Sequence, residues 1–250
     1  MSGHSKWSKI KRKKGVNDVR RGQLWSKIAR RIIMAAKDGG GNLDDNLTLR
    51  YAVDEGRAAN MPNDTINKAI KKGTGELGPV SYEQILYEGF GSGGVAVMAE
   101  CLTDNRNRTA PELRRIFEMA GGQLGASGSV AWMFKKKGTF SIDAGATDED
   151  TLMSVVLDAG ADDLVSEDGT FEVTCDPAVF ADVKQALADA GIPVETAAVS
   201  QLADNPIQIT DPEHAQKVLR LLENLEEHDD VQHVYANFDI ADDVMAKVEQ

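Results

Sequence analysis

The residues best equipped to do chemistry lie in the first third of the chain. Lys6, Lys9, Lys11, Arg12, Lys13 and Lys14 surround Trp7, and Arg20, Arg21, Lys27, Arg30, Arg31 and Lys37 follow. Cations in this density neutralise phosphates and release condensed counterions, and an interleaved tryptophan can stack on an unpaired base. The set therefore points to nucleic acid; the competing reading is a solvated face or an address signal. A second basic group, Arg106, Arg108, Arg114 and Arg115, stands around an expected helix start. Arg106 and Arg108 would precede that helix, where its dipole already favours an anion. The alternative is pairing with Glu112, Glu118 and neighbouring acids.

Other chemistries find no support. Gly89-Phe90-Gly91-Ser92-Gly93-Gly94 has the letters of a dinucleotide loop. The residues after it, Val95 to Leu102, read as a strand, so no helix N-terminus is available to hold a pyrophosphate. The glycines are better read as a hairpin turn. Lys71-Lys72-Gly73-Thr74-Gly75 lacks the spacing of a phosphate loop. His4, His214, His228 and His233 form no metal-ligand pair, and Cys101 and Cys175 read as reduced, buried thiols. The acid pairs Asp162-Asp163 and Asp229-Asp230 read as solvated turn residues. No enzyme, cofactor or small-molecule substrate is expected, and no apolar run approaches the length of a membrane span.

The net charge of −12 conceals a division. Residues 1–75 carry 17 Lys+Arg and 7 Asp+Glu, a net of +10, which leaves 11 and 33, a net of −22, for residues 76–250. A basic module is thus attached to an acidic body. The arginine-rich start would also suit a transit peptide, but Trp7 and Trp25 read as parts of a folded unit.

The elements that must position these residues follow from periodicity. A helix capped by Asn17 or Asp18 runs to about Lys37, burying Trp25, Ile28, Ile32 and Ala35, and Gly39-Gly40-Gly41 ends it. A second helix follows Asp45-Asn46, with Leu49, Val53 and Gly56 on one side. A third runs from Pro62-Asn63 to Gly73. Thr74 to Pro79 is a linker. Beyond it come a hairpin (85–87 and 95–102), a helix opened by the capping box Thr109-Ala110-Pro111-Glu112, and a strand from Ser129 to Phe134. Strands near 139–142, 163–166, 170–174 and 194–201, with helices near 149–159 and 177–190, make a β-α-β-β-α-β unit of ferredoxin-like order. Strand 207–209, helix 212–227 and strand 231–238 follow. The flanking pieces look incomplete apart, so they are expected to share one sheet.

Several motifs closely resemble the YebC/PmpR family, whose mitochondrial relatives include the translational activator of cytochrome oxidase. They are G-H-S-K-W at 3–7, A-A-K-D-G-G-G at 35–41, L-Y-E-G-F-G at 86–91, E-C-L-T-D-N-R-N-R-T at 100–109 and G-S-V-A-W-M-F at 128–134. The resemblance implies an α+β protein of three domains: a helical one with a basic arm, then two α/β domains, the third inserted in the second. With the pattern above this gives a basic helical domain at 1–78, an α/β domain at 79–134 and 206–250, and an acidic inserted domain at 135–205. Both α/β domains are expected to be ferredoxin-like. The resemblance also implies a cytoplasmic protein of gene expression without a cofactor. The family has been described both as DNA-binding transcriptional regulators and as translation factors that relieve ribosome stalling at proline-rich stretches.

The favoured expectation is a non-enzymatic factor on the large ribosomal subunit. Lys6–Lys14 and Trp7 would enter ribosomal RNA, and Arg20–Arg31 would track phosphates. The alternative is a duplex-DNA-binding regulator with the first helix in the major groove. That helix has few of the amides that read base edges.

Overall fold

The computed structural model describes residues 18–79, 81–167 and 169–248. Lys6, Trp7, Lys9, Lys11, Arg12, Lys13 and Lys14 lie outside the described residues, and for Arg20 and Arg21 only the helical backbone is described.

Three helices come first: α1 (Asp18–Gly39), α2 (Leu47–Ala58) and α3 (Asn63–Gly73). The stripe on α1 buries Ile28, Ile32 and Ala35, joined by Ile33 and Ala36, against Leu49, Val53, Ile66 and Ala69. Trp25 is half-buried and donates its indole N–H to Ala59 O at 2.9 Å. Asn46 explains the sharp reversal between α1 and α2. Its Nδ2 donates to Ala35 O and Gly40 O, both at 2.8 Å, and its Oδ1 accepts from Leu49 N at 3.0 Å. One side chain thus satisfies carbonyls at the end of α1 and caps the start of α2. Gly40 takes φ +81°, the left-handed geometry that commonly ends a helix.

Strands β1 (Glu83–Phe90) and β2 (Ala96–Thr103) form the expected hairpin around the glycines, with Gly93 and Gly94 at φ +72° and +78°. They are followed by α4 (Arg106–Met119) and the short β3 (Gln123–Leu124), which returns alongside β1. After the inserted region come β8 (Ile207–Ile209), α7 (Pro212–Glu227), β9 (Val231–Ala236), β10 (Phe238–Ile240) and α8 (Asp242–Val248). Strand β9 joins β2, so the two pieces do share one sheet, ordered β3-β1-β2-β9. Its hairpin occupies the centre, whereas a ferredoxin-like sheet carries its hairpin at one edge. The strand expected over 231–238 breaks at Asn237. Its second half, β10, pairs with β8 in a separate ribbon.

Between these pieces run β4 (Phe134–Asp143), α5 (Glu149–Asp158), β5 (Ala161–Glu167), β6 (Thr170–Cys175), α6 (Phe180–Asp189) and β7 (Thr196–Ala203). The order β5-β6-β4-β7, antiparallel throughout, is that of a ferredoxin-like sheet. Phe140, Ile142, Leu152, Val156, Val173 and Leu187 fill its core.

The chain forms two compact units. Of the described residues, one comprises those within 132–208 with 237–239; the other comprises those within 18–131, 209–236 and 240–248, so the helices and the first sheet belong to the same unit.

Two local expectations are corrected. Residues 129–133 are not a strand: a single helical turn covers Ala131–Met133, and β4 starts only at Phe134. The cause is Glu88. Its buried carboxylate accepts from Gly128 N at 2.6 Å and from Val130 N and Ala131 N at 2.8 Å each, groups that a strand would need for its ladder. Helix α4 starts at Arg106 rather than after Thr109, capped by Asn105, whose side chain accepts from Arg108 N. Thr109 is unavailable as a cap because its hydroxyl is buried against Asp230.

Candidate nucleic-acid interface

Three of the expected phosphate contacts on α1, Lys27, Arg30 and Arg31, are held by the chain itself. Gln23, Lys27 and Arg30 recur at helical spacing, and α7 ends beside them. Gln23 donates to Glu227 O at 3.3 Å, Lys27 Nζ to Glu226 O, and Arg30 to Asp229 O. A helix C-terminus leaves carbonyls without intrahelical donors and carries partial negative charge. This row of donors satisfies both needs. Arg31 donates to Glu55 Oε1 at 2.7 Å. Lys27, Arg30 and Arg31, expected to track phosphates, thus each have an intramolecular partner.

The second basic group is also reorganised. Arg106 and Arg108 lie in the first turn of α4, not ahead of it. Arg108 bonds Asp230 Oδ2 at 2.8 Å and Asp104 Oδ1 at 3.2 Å. Arg106, Arg114 and Arg115 are exposed. Arg115 lines a cleft of about 560 Å³ with Arg30, Arg108, Glu112 and His228. The alternative reading, pairing with neighbouring acids, holds for Arg108 with Asp104, whereas Glu112 meets His228 Nε2 at 2.9 Å.

Asp230 joins the two basic groups. It is only 2% exposed, so the reading of Asp229-Asp230 as solvated turn residues fails for its second member. Its carboxylate takes hydrogen bonds from Arg108 and, at 2.7 Å, from Thr109, and lies 3.3 Å from Arg30. Burial alone would raise its pKa. Hydrogen bonds from Arg108 and Thr109, with the charges of Arg108 and Arg30, more than offset this and hold it below the ordinary carboxylate range. The backbone N–H of Asp230 donates to His228 Nδ1 at 3.1 Å, and its carbonyl accepts from Leu102 N at 2.8 Å. Its carboxylate and carbonyl thereby tie α1, β2 and α4 to the residue that leads into β9.

The structure also brings forward a basic face on α3, two of whose lysines the sequence offers only as a failed phosphate loop. Lys68, Lys71 and Lys72 are exposed on one face of α3, with Lys72 5.5 Å from the Tyr82 ring centre. Their spacing was the available signal, since residues three and four apart share a helix face. Lys37, near the end of α1, is likewise exposed. In the other unit, Trp132 is 73% exposed and precedes the exposed Lys135 and Lys136 in sequence, although Lys135 meets Asp204 at 2.8 Å.

Among the described residues no cluster of His, Cys, Asp or Glu is suited to hold a metal ion, and no helix is long and apolar enough to cross a membrane. Burial pushes the Cys101 thiol up to about 12, so this cysteine is a neutral group rather than a nucleophile.

Residues 5–76 match the family described as the TACO1/YebC protein N-terminal domain, and residues 82–238 match its second and third domain. A probable transcriptional regulatory protein of Geobacter sulfurreducens is 49% identical over 248 residues, covering 99% of this chain and 100% of that one. Another of the same description, from Treponema denticola, is 52% identical over 240 residues, covering 96% and 97%. The crystal structure of a conserved hypothetical protein from Aquifex aeolicus superimposes with a TM-score of 0.78 at 43% identity, over 90% of this chain and 93% of that one.

Proposed function

The chain belongs to the TACO1/YebC family, and from that membership and its charge distribution we propose a non-enzymatic, nucleic-acid-binding regulator of gene expression. Its target in this reading is structured ribosomal RNA on the large subunit, where it relieves stalling at proline-rich stretches.

The observation that carries the choice is the environment of α1. One face packs on α2 and α3, and the Gln23–Lys27–Arg30 row is covered by the end of α7. A helix covered on two faces is poorly placed to lie in a major groove and read base edges. Binding then rests on the Lys6–Lys14 arm with Trp7, on Arg20 and Arg21, and on the exposed lysines of α3. An arm of this composition suits the pockets and unpaired bases of folded RNA. The body beyond residue 75, at −22, is repelled by phosphate and directs the contact to the basic end. The protein would help peptide-bond formation by positioning RNA, without a catalytic side chain.

A DNA-binding transcriptional regulator is the second reading. It is favoured by the description shared by the bacterial relatives, probable transcriptional regulatory protein.

Sedimentation separates the two. The full chain is mixed with purified large ribosomal subunits in moderate salt, alongside a variant with Lys11, Arg12, Lys13 and Lys14 all changed to Glu. Co-sedimentation of the natural chain and its loss in the variant are expected. A chain that stays at the top of the gradient while retarding promoter DNA overturns the ribosomal reading. Equal binding by the variant overturns the role of the arm.

A further inference from the structure

A cavity of about 640 Å³ opens between α1–α2 and the β1-β2-β9 face of the same unit. Its lining is unusual in what it leaves unpaired. Gln232 Nε2 and Oε1 are both buried, and neither has a hydrogen-bond partner among the described residues; Arg31 Nε is in the same condition. Buried polar atoms are normally paired, and a side-chain amide with both halves vacant calls for an explanation. The backbone supplies part of one. In the β2–β9 pairing, Glu100 faces His233 and Cys101 faces Val231, so Gln232 is the extra residue of a β-bulge. Bulges re-aim a side chain, and they recur beside functional sites.

We propose that this cavity receives one unpaired nucleobase, with Gln232 reading its edge; the inference rests on the nucleic-acid reading above and extends it to a second site. A primary amide offers one donor and one acceptor side by side, the pattern that pairs with a base edge. Tyr51, 64% exposed and part of the same lining, supplies a ring at the rim on which a base can stack. The charge selects the part of the nucleotide that enters. Among the described lining residues Asp38, Glu55 and Glu100 stand against the one Lys or Arg side chain, Arg31, so a phosphate is repelled and a neutral heterocycle is accepted. Cys101, also in the lining, stays an uncharged thiol. Lys37, adjacent in sequence to the lining residues Asp38 and Gly39, is exposed and available to the backbone of the same strand.

The test uses the full chain and short single-stranded RNAs that carry A, C, G, U or an abasic site at one central position, read by fluorescence anisotropy. At least one base is expected to bind about tenfold tighter than the abasic strand, in line with a bidentate base contact. Gln232→Leu should abolish that ratio while leaving abasic affinity unchanged. Its melting temperature should not fall, because leucine removes a buried amide that lacks partners. Tyr51→Ala, at an exposed position, should reduce the ratio as well. Charge reversal of Lys11–Lys14 should weaken all five strands alike and preserve the ratio. Equal affinity for all five strands in the natural chain, or an unchanged ratio in Gln232→Leu, overturns the proposal. Should no strand bind at all, the nucleic-acid reading fails, and the cavity is then tested alone with the four nucleosides. Chemical-shift changes at the Gln232 amide and Tyr51 ring would support the site, and their absence at millimolar nucleoside would sink it.

Discussion

Arg30 of α1 lies 3.3 Å from Asp230, a carboxylate buried at the start of β9 and also bonded by Arg108 and Thr109 of α4. Removing Asp230 would leave two guanidinium groups facing each other without their shared counter-charge. Loss of one partner from a buried pair costs about 3–5 kcal/mol, and the low end applies because Arg108 is 43% exposed. Asp230→Ala should therefore lower the unfolding free energy by roughly that amount, read as a lower urea midpoint at unchanged m-value. A loss below about 1 kcal/mol would mean that the Arg30 and Arg108 contacts contribute little.

Acid should release this cluster and, separately, the Glu88 carboxylate that holds the backbone of residues 128–131. The folded-state pKa values of Asp230 and Glu88 are both depressed. In Glu88, burial raises the value but three backbone N–H bonds more than offset it. The unfolded chain then binds more protons than the folded one at low pH. The stabilisation is complete above the unfolded carboxylate value of about 4, and it is lost as pH falls through the depressed folded values. Urea midpoints at pH 6 and pH 3 should differ less in Glu88→Gln than in the natural chain. An identical pH dependence would contradict the assignment.

Much of this architecture was legible in the chain because local chemistry and tertiary packing agree. Ile28, Ile32 and Ala35 are buried at the spacing that announced them, and Pro212–Glu227 is the helix its pattern required. The inserted unit's strand order followed from its β-α-β-β-α-β sequence. What failed was what depends on distant partners. Thr109-Ala110-Pro111-Glu112 has the letters of a capping box, but the Thr109 hydroxyl is taken by Asp230. Val130 and Ala131 look like strand residues until Glu88 claims their N–H groups. Lys27 and Arg30 look free for phosphate until α7 ends against them. The α8 helix and the Gln232 bulge carried no local signal that was recognised.

Two glycines should respond in opposite directions to alanine. A Cβ on Gly89 would lie 2.5 Å from Gln123 O and 2.7 Å from Phe117 Cε1, contacts with a backbone and a buried ring that cannot easily yield. Gly89→Ala should destabilise by about 1–3 kcal/mol, as overpacking does. Gly22, exposed on α1, has open space at its Cβ. There alanine should stabilise by roughly 0.5–1 kcal/mol through helix propensity. Paired thermal melts of the two variants check both signs.

Cations that build the protein should be separable from cations that bind its target. Lys27 holds a carbonyl at the end of α7, and Arg30 holds the Asp229 carbonyl just beyond it and faces Asp230. Lys68 and Lys71 are exposed on α3. The double variant Lys27→Ala with Arg30→Ala should therefore lose stability, by about 1–3 kcal/mol for hydrogen bonds to charged groups. Its RNA affinity, measured where it remains folded, should stay within about twofold. Lys68→Ala with Lys71→Ala should keep its melting temperature within the small range typical of surface changes. It should weaken RNA binding and reduce the salt slope by about 1.4, since each phosphate contact on a single strand contributes about 0.7. If instead Lys27 and Arg30 governed the salt slope and the α3 pair left it unchanged, the end of α7 would have to give way on binding, and α1 would be the phosphate-tracking element after all.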